Sequence, residues 1–252
     1  MNIDNTLFVG KVLLHFPRLA STNEYAFKLL EDQEVVEGTV ISTAEQFKGK
    51  GQLGNTWQSV PNENIAMSVV FHPHFLLPSQ QFYLNIAVTL AVQETLATYT
   101  EGVQIKWSND ILINRKKVVG ILIQNNLSTQ KILNAVVGIG INANQQRFPA
   151  ELEQASSLFL ESGQKIDLEE LMQILCKNLE LRYLQLKRRQ YETLRLAYFE
   201  HLFQYQEWAW YVTTDGTAVK GKIVDVLETG QLVMQHNTSK KVYNLKEIQF
   251  LY

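Results

Sequence analysis

Gln46-Phe47-Lys48-Gly49-Lys50-Gly51-Gln52-Leu53-Gly54-Asn55-Thr56-Trp57 is the stretch on which the reading of the whole chain turns. Gly49, Gly51 and Gly54 let the backbone bend tightly and come close to a ligand. Lys48 and Lys50 flank Gly49 and make the loop cationic, and Trp57 closes it with a flat ring. Backbone N–H groups, ammonium groups and an aromatic face together suit a phosphate joined to a flat heterocycle. The glycines also satisfy G-x-G-x-x-G, the dinucleotide fingerprint, which needs a strand before it and a helix after it. Residues 38–43 have strand composition, but residues 58–64 have that of a turn, and 65–71 form a second strand pattern. Strand, glycine loop, strand also describes the protein-kinase phosphate loop, yet no H-R-D or D-F-G motif is present. Taken alone, the glycine pattern is equally that of a flexible hairpin tip.

The 252 residues suffice for one large domain, or a large and a small one. An apolar content of 46% and a charged content of 19% are ordinary for a globular protein. A net charge of −2 gives no global field favouring nucleic acid or an anionic membrane. The single cysteine, Cys176, excludes an internal disulfide and fits a reducing, cytoplasmic setting. It lies in an apolar helical pattern, which predicts a buried, inert thiol. Residues 1–7 lack the features of a secretory signal, and no apolar run of about 18 residues predicts a membrane span.

A first strand is predicted over 11–16, broken by Pro17. Ser21-Thr22-Asn23-Glu24 then opens a helix, with Ser21 or Thr22 as its cap. These three small polar side chains serve either as caps alone or as donors to a polar ligand head. Residues 79–99 have the pattern of a core helix buried on most of one side. In residues 103–113 two strand-like pieces enclose Lys106-Trp107-Ser108-Asn109-Asp110. Strands follow over 117–124 and 135–142, interrupted by Gly120, Gly138 and Gly140. Glycine weakens a strand interior unless something must approach the backbone. With Lys117 and Asn142 beside them, these glycines mark one face of a sheet that holds a ligand, in preference to a merely bulged sheet. An irregular connection over 148–163 leads to a long helical region begun by Asp167. Lys187-Arg188-Arg189 on its amphipathic surface is read as a solvated face. After about Tyr205 the chain changes to short β-like runs at 210–212, 220–227, 232–235 and 241–245, separated by turn residues. They predict a five-strand, barrel-like unit docked on the larger one.

In order and spacing, Ser21-Thr22-Asn23, the 46–57 loop, Lys106-Trp107-Ser108-Asn109-Asp110, Lys117-Val118-Val119-Gly120-Ile121-Leu122 and Gly138-Ile139-Gly140-Ile141-Asn142 resemble the motifs of the biotin protein ligases. The resemblance runs from about Leu13 to the C-terminus. It implies an α+β fold: a mixed-sheet, class II synthetase-like catalytic domain over residues 1–205 and an SH3-like β-barrel over 206–252. It implies a two-step reaction, in which biotin and ATP form biotinyl-5′-adenylate and the acyl group passes to a lysine of a biotin carboxyl carrier protein.

By motif position, Ser21, Thr22 and Gln46 would bind the ureido end of biotin, and Asn23 would be a further substrate-binding residue. Lys50, Gly51 and Gln52 would cover its carboxylate and the phosphate. Trp57 would stack on adenine, with Asn142 opposite and with Gly49, Gly54 and Asn109 beside the nucleotide. Gly120, Gly138 and Gly140 would leave room for the ligand. Lys117 would be the main electrostatic catalyst, supported by Lys50. Asp110 would orient the acceptor amine, anchor the Asn109 turn or help bind Mg2+, which accompanies ATP; no residues are assigned as a dedicated metal site.

The loop departs from the family pattern, which carries several arginines where Lys50, Gln52, Leu53 and Asn55 stand here, and Ser108 replaces a usual proline. Lysine keeps charge without bidentate geometry, and Gln52 loses the charge. Some relatives carry an N-terminal DNA-binding unit; about a dozen residues precede the first strand here, so an enzyme without nucleic-acid or membrane partners is expected. The resemblance also allows a homodimer, and a loop that is disordered until it folds over the adenylate. The alternatives are a lipoate or octanoate ligase or transferase of the same fold, a non-catalytic biotin- or nucleotide-binding regulator and, more distantly, a nicotinamide-dependent oxidoreductase.

Overall fold

The computed structural model describes residues 3–252. Its frame is a seven-stranded sheet built from β1 (Leu13–Leu19), β2 (Val40–Gln46), β5 (Ile65–Phe71), β6 (Val103–Lys106), β7 (Asp110–Ile113), β8 (Lys116–Leu127) and β9 (Ile132–Ile141). The order is β1-β2-β5-β9-β8-β7-β6. The β1–β2 pair is parallel, joined through helix α1 (Thr22–Asp32), and the remaining pairs are antiparallel.

The predicted break at Pro17 does not occur. β1 lies at the sheet edge, and its register pairs Phe16 with Thr43 and Arg18 with Glu45. Pro17 has no register partner there, so its missing N–H interrupts no ladder bond. The same pairing extends β2 beyond the predicted residue 43 to Gln46 and delivers that side chain to the start of α1.

The sheet has two unlike faces. Met67, Val69, Phe71, Val137, Ile139 and Ile141 pack into the main core with α2 (Phe82–Ala97) and α4 (Leu168–Lys187). α2 is shorter than the predicted 79–99 and buried from Phe82 through Gln93 on every side, not one. A helix this uniformly apolar has no polar stripe to turn outward. On the other face, Ile41, Val70 and Val136 pack beneath Ala26 of α1, which covers only part of the sheet. Gly138 lies under the first turn of α1, whereas Gly120 and Gly140 lie on the part that α1 leaves uncovered.

α4 starts as predicted, with Asp167 Oδ1 accepting from the N–H groups of Glu169 and Glu170 at 2.8 and 3.2 Å. The long helical region divides at Arg189, which has φ 57, and resumes as α5 (Tyr191–His201). Cys176 is buried within α4, and burial pushes its thiol up to about 12. Glu180, also buried, accepts from the N–H groups of Leu7, Phe8 and Val9 and pins the N-terminal segment.

The C-terminal strands β10 (Trp208–Thr213), β11 (Ala218–Val226), β12 (Leu232–His236), β13 (Ser239–Tyr243) and β14 (Ile248–Phe250) form a five-stranded antiparallel sheet. Its apolar side joins the main core. Tyr83 Oη donates to Glu228 (3.0 Å), Trp107 Nε1 donates to the Gly230 carbonyl (2.9 Å) and Arg195 pairs with Asp225 (2.6 Å) across the seam. Among the described residues no helix is long and apolar enough to cross a membrane.

Candidate active site

The β1–α1 junction places Ser21, Thr22 and Asn23 at the first turn of α1. Ser21 is the cap, its Oγ accepting from Glu24 N–H at 3.4 Å. Thr22 donates through its N–H to Gln46 Oε1 at 2.9 Å, and its hydroxyl lies 3.2 Å from the same oxygen. Ser68 Oγ of β5 lies 2.7 Å from Thr22 Oγ1 and 2.6 Å from Asn23 Oδ1. An amide oxygen can only accept, so the Ser68 proton points to Asn23, and Ser68 is left to accept from Thr22. Asn23 Nδ2 donates to Gln124 Oε1 at 2.9 Å and to the Leu122 carbonyl at 3.3 Å. A buried network with its protons so assigned holds each member in one orientation. Gly138 lies directly beneath: a Cβ there would stand 2.9 Å from Asn23 Cγ.

The 46–57 loop is a small hairpin. β3 (Gly49–Lys50) pairs with β4 (Thr56–Trp57) around a 3-10 turn at Gln52–Gly54. No helix follows, so the dinucleotide fingerprint lacks its structural context. Gly49 admits this pairing because a Cβ would stand 2.5 Å from the Trp57 carbonyl. The Trp57 ring lies over Gly120 and Gly140, cross-strand neighbours on β8 and β9. The added Cβ would stand 2.7 Å from Trp57 Cζ3 at Gly120, and 2.5 Å from Trp57 Nε1 at Gly140. The space that glycine leaves on this sheet is thus filled by protein side chains, Trp57 over one pair and Asn23 over Gly138.

Lys117 and Lys116, inseparable by composition, point to different surroundings. Lys116 Nζ faces Glu161 at 3.5 Å, whereas Lys117 Nζ meets Asp110 at 2.6 Å and lies 5.8 Å from the Trp57 ring centroid. The backbone of Lys117 is clamped: its N–H donates to the Gln154 carbonyl (2.6 Å) and its carbonyl accepts from Ser156 N–H (2.9 Å). Glu161 secures that clamp, accepting from Ser156 Oγ at 2.6 Å and Asn114 Nδ2 at 2.9 Å. Burial pushes the Glu161 carboxyl up, but these hydrogen bonds and the Lys116 charge outweigh it and leave it below the usual range. Lys50 Nζ pairs with Glu24 at 2.5 Å, tying the hairpin to α1. Asn109 is anchored to β8, donating to the Ile121 carbonyl and accepting from Ile121 N–H at 3.0 Å.

These elements enclose a cavity of about 530 Å³. Ser21, Thr22, Asn23 and Gln46 line one end. Lys50, Gly51, Gln52 and Trp57 form the hairpin wall. Asn109, Asp110, Lys117 and Gly120, with Gly138 and Gly140, complete the floor. Gly49, Gly54 and Asn142 do not line it. Asn142 sits behind the floor, donating through Nδ2 to the Ser156 carbonyl at 3.0 Å. Ser68 and Gln124 were not foreseen, although Ser68 carries a signal as the one hydroxyl in the apolar run Ile65–Phe71. Lys246, in the turn before β14, and Ile248, Gln249 and Phe250 of β14 also line the cavity. Nothing local marks those positions, because only the docking of that sheet brings them there. Asp110 is the only carboxylate of the described lining, and no group of three His, Cys, Asp or Glu suited to a metal occurs among the described residues.

Residues 15–142 match the Biotin/lipoate A/B protein ligase family. The chain belongs to this family. The matched span begins in β1 and ends just after β9, and so contains every motif of the cavity floor and hairpin. Within the family, the chain is 30% identical over 246 residues to the bifunctional ligase/repressor BirA of Bacillus subtilis, covering 95% of this chain and 74% of that protein. It is 27% identical over 243 residues to the biotin–[acetyl-CoA-carboxylase] ligase of Paracoccus denitrificans, covering 92% and 98% respectively. The biotin protein ligase of Aquifex aeolicus, solved in complex with biotin and ATP, superposes with a TM-score of 0.78 at 26% identity, covering 96% of this chain and 99% of that one. The mixed sheet with a small C-terminal sheet is therefore a fold of this ligase family.

Proposed function

We propose that the chain is a biotin–protein ligase. In the first step a biotin carboxylate oxygen attacks the α-phosphorus of ATP, the bond to the β-phosphate oxygen breaks, and pyrophosphate leaves. In the second, the neutral amine of a carrier lysine attacks the acyl carbon, the carbon–oxygen bond to AMP breaks, and the amine loses a proton. The observation that carries this reading is the makeup of the cavity itself. It joins a neutral, hydrogen-bonded end at Ser21, Thr22 and Gln46 to a cationic, aromatic end at Lys50, Lys117 and Trp57.

The neutral end favours a ureido group over the dithiolane or alkyl chain of lipoate or octanoate, because a buried polar network rejects a ligand that leaves it unpaired. The cationic end offsets the repulsion between carboxylate and triphosphate and the charge gathering at the α-phosphate. Lys117 suits that role because its backbone clamp and Asp110 fix its ammonium. Trp57 would pack against the adenine, with Asn142 supporting the floor from behind. Mg2+ fits as an ion brought by the nucleotide and met by one carboxylate, Asp110, which is how magnesium is ordinarily held. When bound it neutralises the departing phosphates. A carrier lysine, with an ordinary pKa near 10.4, must lose a proton before attack, and Asp110, the one carboxylate of the described lining, would receive it.

We place the boundary between the catalytic and C-terminal units at 205/206, and the protein in the cytoplasm, where a buried free Cys176 meets no oxidising demand. Biotin- and ATP-dependent pyrophosphate release tests the assignment. Lys117→Met should lower its kcat by roughly 10²–10³-fold, the usual loss on removing a transition-state charge partner. Undiminished release from that variant would remove Lys117 as catalyst, and no release from the unmodified protein would refute the ligase assignment.

A further inference from the structure

A second cavity, of about 380 Å³, adjoins the first and shares Gln52 and Ser108 with it. It lies where the start of α2, the middle of β8 and the β11–β12 turn of the C-terminal sheet meet. Its wall is rich in amides: Gln81, Asn85, Asn125, Gln231 and Asn244. No Asp, Glu, Lys, Arg or His belongs to its described lining, so a phosphate, a carboxylate or a free ammonium would find no counter-charge there. Two of its acceptors, Asn85 Oδ1 and Asn125 Oδ1, are buried without a hydrogen-bond partner. A buried acceptor left unpaired in a native protein calls for an explanation, and a donor from a ligand supplies one. Asn85 is only 9% exposed.

We propose that this cavity receives the polypeptide main chain beside the target lysine of the acceptor protein. Resting on the ligase reading, the proposal assigns the acceptor a site that the adenylate does not use. Primary amides offer both donors and acceptors, matching the N–H and C=O groups of an extended or turning peptide. The two unpaired oxygens need hydrogen-bond donors, which a peptide N–H supplies and an ionised phosphate lacks. The shared wall at Gln52 and Ser108 lets a side chain leaving the second cavity enter the first. An acceptor held there reaches the acyl carbon past the hairpin wall, leaving the Trp57 and Lys117 end to the nucleotide.

The test uses full-length Asn85→Leu and Asn125→Leu proteins, with Gln81→Leu as a third variant at an exposed position. Three rates are read: biotin- and ATP-dependent pyrophosphate release, acyl transfer to hydroxylamine, and biotin transfer to an apo biotin carboxyl carrier domain. Hydroxylamine needs no docking surface and reports the reactivity of the adenylate alone. The expected result is a carrier KM raised about tenfold by loss of one or two peptide hydrogen bonds. Pyrophosphate release and hydroxamate formation should stay within about twofold of the unmodified protein. A carrier KM unchanged in all three variants overturns the proposal, as does an equal loss in all three rates for Gln81→Leu. If the unmodified protein releases no pyrophosphate, the ligase reading itself has failed, an outcome distinct from either.

Discussion

Gly140→Ala isolates the relation between the sheet floor and the glycine hairpin. The new methyl group would stand 2.5 Å from Trp57 Nε1 and 2.8 Å from Cζ2. Carbon atoms reach their best packing at about 3.5–4.0 Å, so the ring must retreat by roughly 1 Å. Overpacking of this kind generally costs about 1–3 kcal/mol. The strain can relax in either direction. The floor is β9, held between β5 and β8, whereas Trp57 belongs to a hairpin of two-residue strands. The hairpin therefore yields, and the energy appears as a displaced loop more than as a weakened fold. At 1.36 kcal/mol per decade, kcat/KM for ATP in pyrophosphate release should fall by about 5- to 150-fold. The melting temperature should drop by only a few degrees. Trp57→Ala removes the clashing ring, so adding Gly140→Ala to it should produce almost no further loss, a coupling that a double-mutant cycle reads directly. If Gly140→Ala keeps kcat/KM for ATP within twofold, or if the two substitutions simply add, the position of the ring does not govern the nucleotide end.

Other substitutions probe the supports of the cavity. Ser68→Ala deprives Asn23 Oδ1 of its proton donor at a fully buried position, which should cost about 1–3 kcal/mol of stability and raise the KM for biotin about tenfold; a biotin KM unchanged in steady-state assays would exclude the network from substrate binding. Glu180→Ala leaves the N–H groups of Leu7, Phe8 and Val9 without their acceptor and should destabilise by roughly 3 kcal/mol in urea titrations, with adenylation per folded molecule unaffected; an unchanged midpoint would show that the N-terminal segment contributes nothing. The folded Glu161 carboxyl lies below its unfolded value, so the native state binds fewer protons and its contribution is full above about pH 4.3 and lost as the pH falls further. Glu161→Gln should therefore flatten the loss of stability below about pH 4.3, and parallel stability–pH curves for the two proteins would contradict the assigned shift.

Much of the molecule was legible in local sequence. The Asp167 cap, the existence of a core helix at α2, the strand Ile65–Phe71 and the absence of a helix after Trp57 each depend on residues within one or two turns of one another. The ordered motifs pointed to the ligase family, which the match over residues 15–142 establishes. What a single strand could not announce was its neighbour. Pro17 reads as a breaker until β1 proves to be an edge, where a missing N–H is harmless. Lys116 and Lys117 look alike until the β7–β8 pairing turns one toward Glu161 and the other toward Asp110. Ser68 is one hydroxyl in an apolar run until β5 lies beneath the start of α1. Phe250 and its neighbours reach the cavity only because the C-terminal sheet docks across the seam. Propensity and periodicity act over a few residues and are written in the chain, whereas strand register and sheet docking are settled by burial summed over the whole core. Only the second decides which side chains share a cavity.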